Sequence, residues 1–168
     1  MLRAIGALLI MAAGTLSGVY YSSILKQRCD VLQDFTDFLE NLKIHLRYSN
    51  SDIFTLLKSA RTSKYSKKLV DCLLSNKSDN HGFFSVWCGA VKDAYKCLGL
   101  KPRDLREITE FGKDLGTTDT NGELAHIDLY IGIIRERLNN AQKELSEKSR
   151  LYKTLGFFAG TSIALMIV

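Results

Sequence analysis

The chain has 168 residues, of which 46% are hydrophobic and 24% charged, and its formal net charge is +5. This length allows one domain with appendages, and so mild a positive charge argues against a nucleic-acid-binding protein. The cysteines, Cys29, Cys72, Cys88 and Cys97, are widely spaced without a C-x-x-C pair. That spacing excludes a zinc motif and argues against a disulfide framework.

The chain opens with an apolar segment. Residues 4–25 form a run of 22 residues without a charged side chain. As a helix this run extends about 33 Å, enough to cross a hydrocarbon core of about 30 Å. A cleaved signal peptide that releases an exported helical domain is the alternative, because Arg3 supplies its basic start. The length of the run favours a transmembrane helix over residues 1–25.

Residues 26–153 predict a bundle of six amphipathic helices without a strand, so the fold class is all-α. In the first helix, apolar side chains recur every three or four residues. They are Leu32, Phe35, Phe38, Leu39, Leu42 and Leu46, with Asp34, Asp37, Glu40 and Lys43 on the opposite, solvent side. Ser49 and Asp52 have the spacing of a capping box for the second helix.

A basic patch follows the second helix. It comprises Lys58, Arg61, Lys64, Lys67 and Lys68. We interpret it as a solvated helix face, with contact to phospholipid headgroups or to an acidic partner as the alternative. Residues 75–82 predict a loop because Ser, Asn, Asp and Gly dominate them.

The fourth and fifth helices carry the next predictions. Trp87 lies on an aromatic stripe and is expected in the core. Pro102 suits the first turn of the fifth helix. Gly112 allows close approach of a neighbouring helix, and Gly116 is expected to cap the helix C-terminus.

The last helix is predicted to begin with a capping box formed by Thr120 and Glu123. Its apolar stripe consists of Leu124, Ile127, Ile131, Ile134, Leu138, Ala141 and Leu145. Residues 154–168 are uncharged and continue it as a second transmembrane helix, the alternative being a helix buried in a soluble core. The basic flanks of the two segments place residues 26–153 in the cytoplasm.

Motifs for catalysis are missing from the sequence. It contains no P-loop, G-x-S-x-G or H-E-x-x-H pattern. Glu123 and His126 have the spacing of half a di-iron site, but a second such pair is missing. We interpret Glu123 as a helix cap and His126 as an ordinary histidine. The sequence therefore predicts a protein that is not an enzyme and has no metal, cofactor or nucleic-acid partner.

Both apolar segments contain a glycine pair. Gly14 and Gly18, like Gly156 and Gly160, have the four-residue spacing that lets transmembrane helices approach closely. We predict that the segments pack through these glycines, against each other or between copies of the chain.

Four segments carry a resemblance to a known family: Phe111-Gly112-x-x-Leu115-Gly116-x-x-Asp119, His126-Ile127, Tyr152-Lys153-x-Leu155-Gly156-Phe157-x-Ala159-Gly160 and the opening Met1-Leu2-Arg3-x-x-Gly6-Ala7. With these segments the sequence resembles the stage III sporulation protein AB family of endospore-forming bacteria. Glu123 departs from the glutamine expected there. Such proteins are similar to the cytoplasmic domain of the inner-membrane platform protein of type II secretion and type IV pilus systems, a six-helix bundle.

The resemblance implies a role in the secretion-like channel between mother cell and forespore, in the mother-cell membrane around the forespore. The implied partners are a cytoplasmic ATPase, stage III sporulation protein AA, other stage III membrane proteins and membrane lipid. The chain would be a non-catalytic adaptor that docks the ATPase, or alternatively a structural subunit that organises channel components without touching it. The predicted docking face, chosen because its pattern makes it exposed and clustered, is Arg103, Arg106, Glu107, Lys113 and Asp114.

Overall fold

A computed structural model describes residues 2–48, 53–61, 63–76, 82–96 and 98–167. Those residues form six α-helices and no strand, which confirms the predicted all-α class and helix count. The helices are α1 (Leu2–Tyr48), α2 (Ile53–Ala60), α3 (Lys64–Ser75), α4 (Phe83–Tyr95), α5 (Pro102–Phe111) and α6 (Thr120–Ile167). The predicted Ser49–Asp52 capping box and most of the loop at residues 75–82 lie outside the described residues.

The chain divides into two compact units. The helix-pair unit consists of Met1–Cys29 and Asn140–Val168, and the bundle unit consists of Asp30–Asn139. Since α1 has 47 residues and α6 has 48, each long helix contributes to both units.

The core of the bundle unit is aromatic. Phe35 of α1 makes ring contacts with Tyr95 of α4 and Phe111 of α5, at centroid distances of 6.5 and 6.0 Å. Trp87 of α4 contacts Phe111 at 5.7 Å and is fully buried, as predicted. Edge-to-face pairs of this kind contribute about 0.5–1.5 kcal/mol beyond the burial of their area.

The bundle segment of α1 is buried on most of its sides. Asp34, predicted to face solvent, is only 5% exposed, so that prediction is wrong. The reason is that α1 contacts neighbours around most of its circumference, whereas its sequence pattern predicted a single apolar stripe. Burial raises the pKa of Asp34 to about 6, with the Ser66 backbone opposing the shift and Asp37 adding to it. Burial and Asp34 also raise the pKa of Tyr95.

Within the part of the chain that the structure describes, no helix combines the length and the hydropathy of a membrane span. The two predicted transmembrane segments, residues 1–25 and 154–168, are therefore not confirmed. They stay predictions, as do the domain boundaries drawn from them.

Candidate partner-binding surface

The predicted docking face is mostly exposed. Arg103, Arg106, Lys113 and Asp114 lie at the surface of the bundle unit. Glu107 does not, because its side chain is only 12% exposed and its Oε1 lies 3.4 Å from Nη2 of Arg137. The expectation that Glu107 faces solvent is wrong. Its carboxylate joins α5 to α6, and the same oxygen lies 3.7 Å from Nη2 of the exposed Arg106.

The N-terminus of α5 is fixed as the sequence predicted. Pro102 occupies the first helical position, where its missing N–H costs nothing. The backbone N–H of Lys101 donates to Oδ2 of Asp104 at 3.0 Å. Asp104 is 1% exposed, so a buried carboxylate fixes the turn that presents Arg103.

The C-terminus of α5 is held by two side chains. Nε1 of Trp87 donates to the carbonyl of Ile108, and Nε2 of His126 lies 3.0 Å from the carbonyl of Phe111. Carbonyls in the last turn of a helix have no helical partner, so these contacts satisfy them from α4 and α6. Because a carbonyl only accepts, Nε2 of His126 carries the hydrogen in this bond.

The end of α5 lies earlier than predicted. The helix ends at Phe111 and Gly112 is its C-cap, whereas Gly116, the predicted cap, lies in the following loop with φ +83°. The predicted close approach at Gly112 is present, because a Cβ there would overlap the Trp87 ring. The neighbour is a side chain rather than a helix backbone.

Glu123 stabilises the loop that carries Lys113 and Asp114 of the docking face. Its Oε1 accepts hydrogen bonds from three successive backbone amides, those of Gly116, Thr117 and Thr118, at 2.7, 3.0 and 3.3 Å. A carboxylate that accepts several backbone N–H groups forms strong, charge-assisted bonds. The loop is therefore tied to the first turn of α6.

This arrangement replaces the predicted capping box. The helix α6 begins at Thr120, and Oδ1 of the preceding Asp119 accepts from the backbone N–H of Gly122 at 3.2 Å. Asp119 is thus the N-cap. The pairing of Thr120 with Glu123 as a capping box was wrong because Glu123 bonds the loop instead.

The sequence interpretation missed two side chains of this surface, Tyr130 and Arg137. The Tyr130 ring lies 5.4 Å from Phe111 and 4.9 Å from His126. Burial raises the pKa of Tyr130, and the negative charges of Glu110, Glu107 and Asp114 raise it further. His126, Tyr130, Ile133 and Arg137 follow one another at helical spacing. This second stripe, beside the apolar stripe of α6, is the sequence signal that could have identified Tyr130 and Arg137.

The basic patch is exposed for the most part. Lys58, Lys64, Lys67 and Lys68 are solvent-exposed, and Arg61 is half-buried. Nη1 of Arg61 lies 3.1 Å from Oδ1 of Asp71. The patch fits the interpretation as a solvated face of the bundle unit.

The helix-pair unit brings α1 and α6 together as antiparallel partners. The Ser22 and Ser149 hydroxyls lie 2.6 Å apart, and the Tyr21 and Tyr152 ring centroids lie 5.7 Å apart. As the residue number rises along α1, the number of the contacting residue in α6 falls. In the predicted glycine pairs, Gly18 is buried and Gly14 half-buried. Gly156 and Gly160 fall within α6, but their surroundings lie outside what the structure describes.

Comparison with known proteins identifies the family of this chain. The family model of stage III sporulation protein AB matches residues 3–168. The chain belongs to this family. It is 24% identical over 173 residues to stage III sporulation protein AB of Bacillus subtilis (strain 168), covering 100% of both chains. No solved structure matches it.

Family membership confirms the resemblance, and the structure shows where its residues lie. Phe111, Gly112, Gly116, Asp119 and His126 all lie at the junction of α5 and α6. There they end one helix, cap the next or bond between them. The family motif therefore includes the residues that hold the loop next to the candidate surface.

Proposed function

We propose that this member of the family is a non-catalytic membrane adaptor of the secretion-like sporulation channel. The bundle unit docks a cytoplasmic ATPase, stage III sporulation protein AA, and the helix-pair unit holds it at the mother-cell membrane around the forespore. The observation that carries this proposal is the family match over residues 3–168, which assigns the whole chain to a stage III sporulation family.

The distribution of side chains in the helix-pair unit supports the membrane part of the proposal. Among its described residues, several large apolar side chains are exposed, including Leu16, Leu151, Leu155 and Phe158, which are 56–68% exposed. Exposed apolar surface of this kind suits contact with lipid or with another protein. The uncharged run at residues 4–25 belongs to the same unit.

The α5 surface supports the docking part of the proposal. Its exposed cations are Arg103, Arg106 and Lys113, and the exposed carboxylates beside them are Asp114 and Glu110, which lies 3.9 Å from Arg106, so one more positive than negative charge is exposed. Such a surface suits an acidic partner. Arginine and tyrosine are also enriched among the residues that dominate binding energy, and Tyr130 lies beside this surface.

Charge reversal tests the docking part. The variant R103E/R106E/K113E is compared in full-length, detergent-solubilised protein with K64E/K67E/K68E, which changes the same net charge on the exposed α3 face of the same unit. We expect the first variant to capture the ATPase at least about tenfold less well and the second to match the wild type. This corresponds to a loss of about 1.4 kcal/mol or more. Equal capture by both variants would contradict docking at α5.

A second candidate function is a structural subunit that organises other stage III membrane proteins without ATPase contact. The polar contacts between α1 and α6 in the helix-pair unit favour it, because they stabilise a paired-helix element that other membrane helices could contact. Crosslinking in sporulating cells separates the two functions. Capture of membrane proteins with no ATPase would favour this second function over the first.

A further inference from the structure

A groove of about 600 Å³ runs between α1 and α6 in the helix-pair unit. Its apolar wall includes Val19 and Leu145, its hydroxyl lining includes Ser22 and Ser149, and its cations are Lys26 and Arg150. The groove therefore offers apolar contact, hydrogen-bond donors and positive charge side by side. Those are the features that a phosphate attached to an acyl chain requires.

Lys26 and Arg150 differ from Arg28 and Lys148 in their partners. Arg28 and Lys148 both lie 2.8 Å from Glu144, so that carboxylate neutralises charge on that side. Lys26 and Arg150 are exposed, and neither has a carboxylate partner among the described residues. Two cations thus face the groove without a counter-charge, and an anion placed there would neutralise both.

The hydroxyl pair adds a donor. Ser22 is 7% exposed, and its hydroxyl lies 2.6 Å from that of Ser149. Two hydroxyls carry two hydrogens, and their mutual bond uses one. The second hydrogen remains to donate toward the groove, where a phosphate oxygen would accept it.

An aromatic cluster lies next to the groove. The rings of Tyr20 and Tyr21 are 6.2 Å apart, and Tyr21 lies 5.7 Å from Tyr152. Tyr20 is 65% and Tyr21 is 58% exposed. Tyrosines gather at the headgroup level of membranes, where an apolar ring with a polar tip is favoured. On α1, Lys26 lies closer to the bundle segment than Tyr20 and Tyr21 do, and on α6, Arg150 lies closer to it than Tyr152 does. A cation that binds a phosphate at the headgroup level is expected on that side of the tyrosines.

We propose that this groove binds the phosphate of an anionic phospholipid, with Lys26 and Arg150 on its oxygens and the Ser22–Ser149 pair as a further donor. The inference rests on the proposed membrane association and deepens it, because it names a bound lipid class and its site. The site would hold the helix-pair unit at a fixed depth in the headgroup layer.

The test uses the full chain reconstituted into phosphatidylcholine vesicles with and without about one fifth phosphatidylglycerol. After extraction into detergent, native mass spectrometry counts retained phosphatidylglycerol. The variant K26Q/R150Q is compared with K92Q/K96Q, which removes the same charge from exposed positions of the bundle unit outside the basic patch. We expect retention to fall at least about fivefold in the first variant and to stay at the wild-type level in the second.

The outcomes separate the inference from the proposed function. If the wild type floats with vesicles but both variants retain the lipid equally, the groove is not the site and membrane association stands. If inorganic phosphate at the same concentration displaces the lipid completely, the site binds free anions and the lipid assignment is overturned. A wild type that does not float overturns membrane association and this inference together.

Discussion

The two units of the chain use opposite arrangements of the same residue types. In the bundle unit, Phe35, Trp87 and Phe111 are fully buried. In the helix-pair unit, Ser22 and Arg28 are buried, whereas Leu155 and Phe158 are 58% and 60% exposed. The bundle unit is stabilised by removing apolar surface from water. In the helix-pair unit, polar contacts and the Tyr21–Tyr152 ring contact join α1 to α6, and several large apolar side chains are exposed.

This difference supports the proposal that the helix-pair unit lies in lipid and the bundle unit in water. Outward apolar surface and inward polar contacts are typical of helices packed in lipid, where burial of apolar side chains gives no advantage and polar contacts and close packing hold helices together. The reverse arrangement is typical of a domain folded in water. The predictions below exploit this contrast, from the largest expected effect to the smallest.

The first prediction compares one phenylalanine from each unit. F111A removes a fully buried ring and should lower the free energy of unfolding by about 3–5 kcal/mol. F158A truncates an exposed ring and should lower it by about 1 kcal/mol or less. Denaturant titration of the full chain in detergent, followed by fluorescence of Trp87, measures both. Similar losses in the two variants would mean that the units do not differ in this way.

The second prediction tests the buried ion pair of the helix-pair unit. Arg28 and Glu144 have side chains only 6% and 15% exposed, so R28A leaves a mostly buried carboxylate and should cost about 3 kcal/mol. Circular dichroism during denaturation measures this loss. K148A removes the exposed cation on the same carboxylate and should leave the transition midpoint unchanged. A midpoint shift as large in K148A would contradict the assignment of Arg28 as the main partner.

The third prediction uses two glycines of the bundle unit. A Cβ at Gly112 would overlap the Trp87 ring, whereas one at Gly132 would meet nothing within 4 Å. We expect G112A to destabilise the protein by about 1–3 kcal/mol and G132A, within α6, to stabilise it by about 0.5–1 kcal/mol. Thermal unfolding should therefore shift in opposite directions. Shifts of the same sign would show that Trp87 is not packed against Gly112.

The fourth prediction concerns the pH dependence of stability. Burial raises the pKa of Asp34 from 3.8 to about 6. Between these values the folded state holds a proton that the unfolded state has released, so stability falls as pH rises through this window. D34N should remove that fall and be more stable than the wild type above pH 6. D30N, an exposed control on the same helix, should keep the wild-type profile, and an unchanged profile in D34N would refute the assignment.

The sequence predicted what depends on local pattern. Six helices, the start of α5 at Pro102 and the burial of Trp87 follow from spacing and from backbone chemistry that neighbouring residues specify. The exposure of Arg103, Arg106, Lys113 and Asp114 was predicted for the same reason. Whether these residues bind a partner stays a prediction.

The charged residues that the sequence misplaced depend on distant partners. Glu107 is withdrawn by Arg137, 30 residues away. Glu123 was expected to cap its own helix, but its carboxylate accepts hydrogen bonds from the preceding loop. The sequence pattern did not predict the path of this loop, because it placed the end of α5 too late. A periodic pattern shows which face is apolar, but it does not show which charged side chains neighbouring helices will bury.

The central claim, that the helix-pair unit attaches the protein to a lipid bilayer, is tested most directly by alkaline carbonate extraction. Membranes from sporulating cells that express the full-length chain are washed at high pH, and pellet and supernatant are compared by immunoblotting. The account predicts that the chain stays in the pellet and enters solution only with detergent. Complete release into the carbonate supernatant would contradict it.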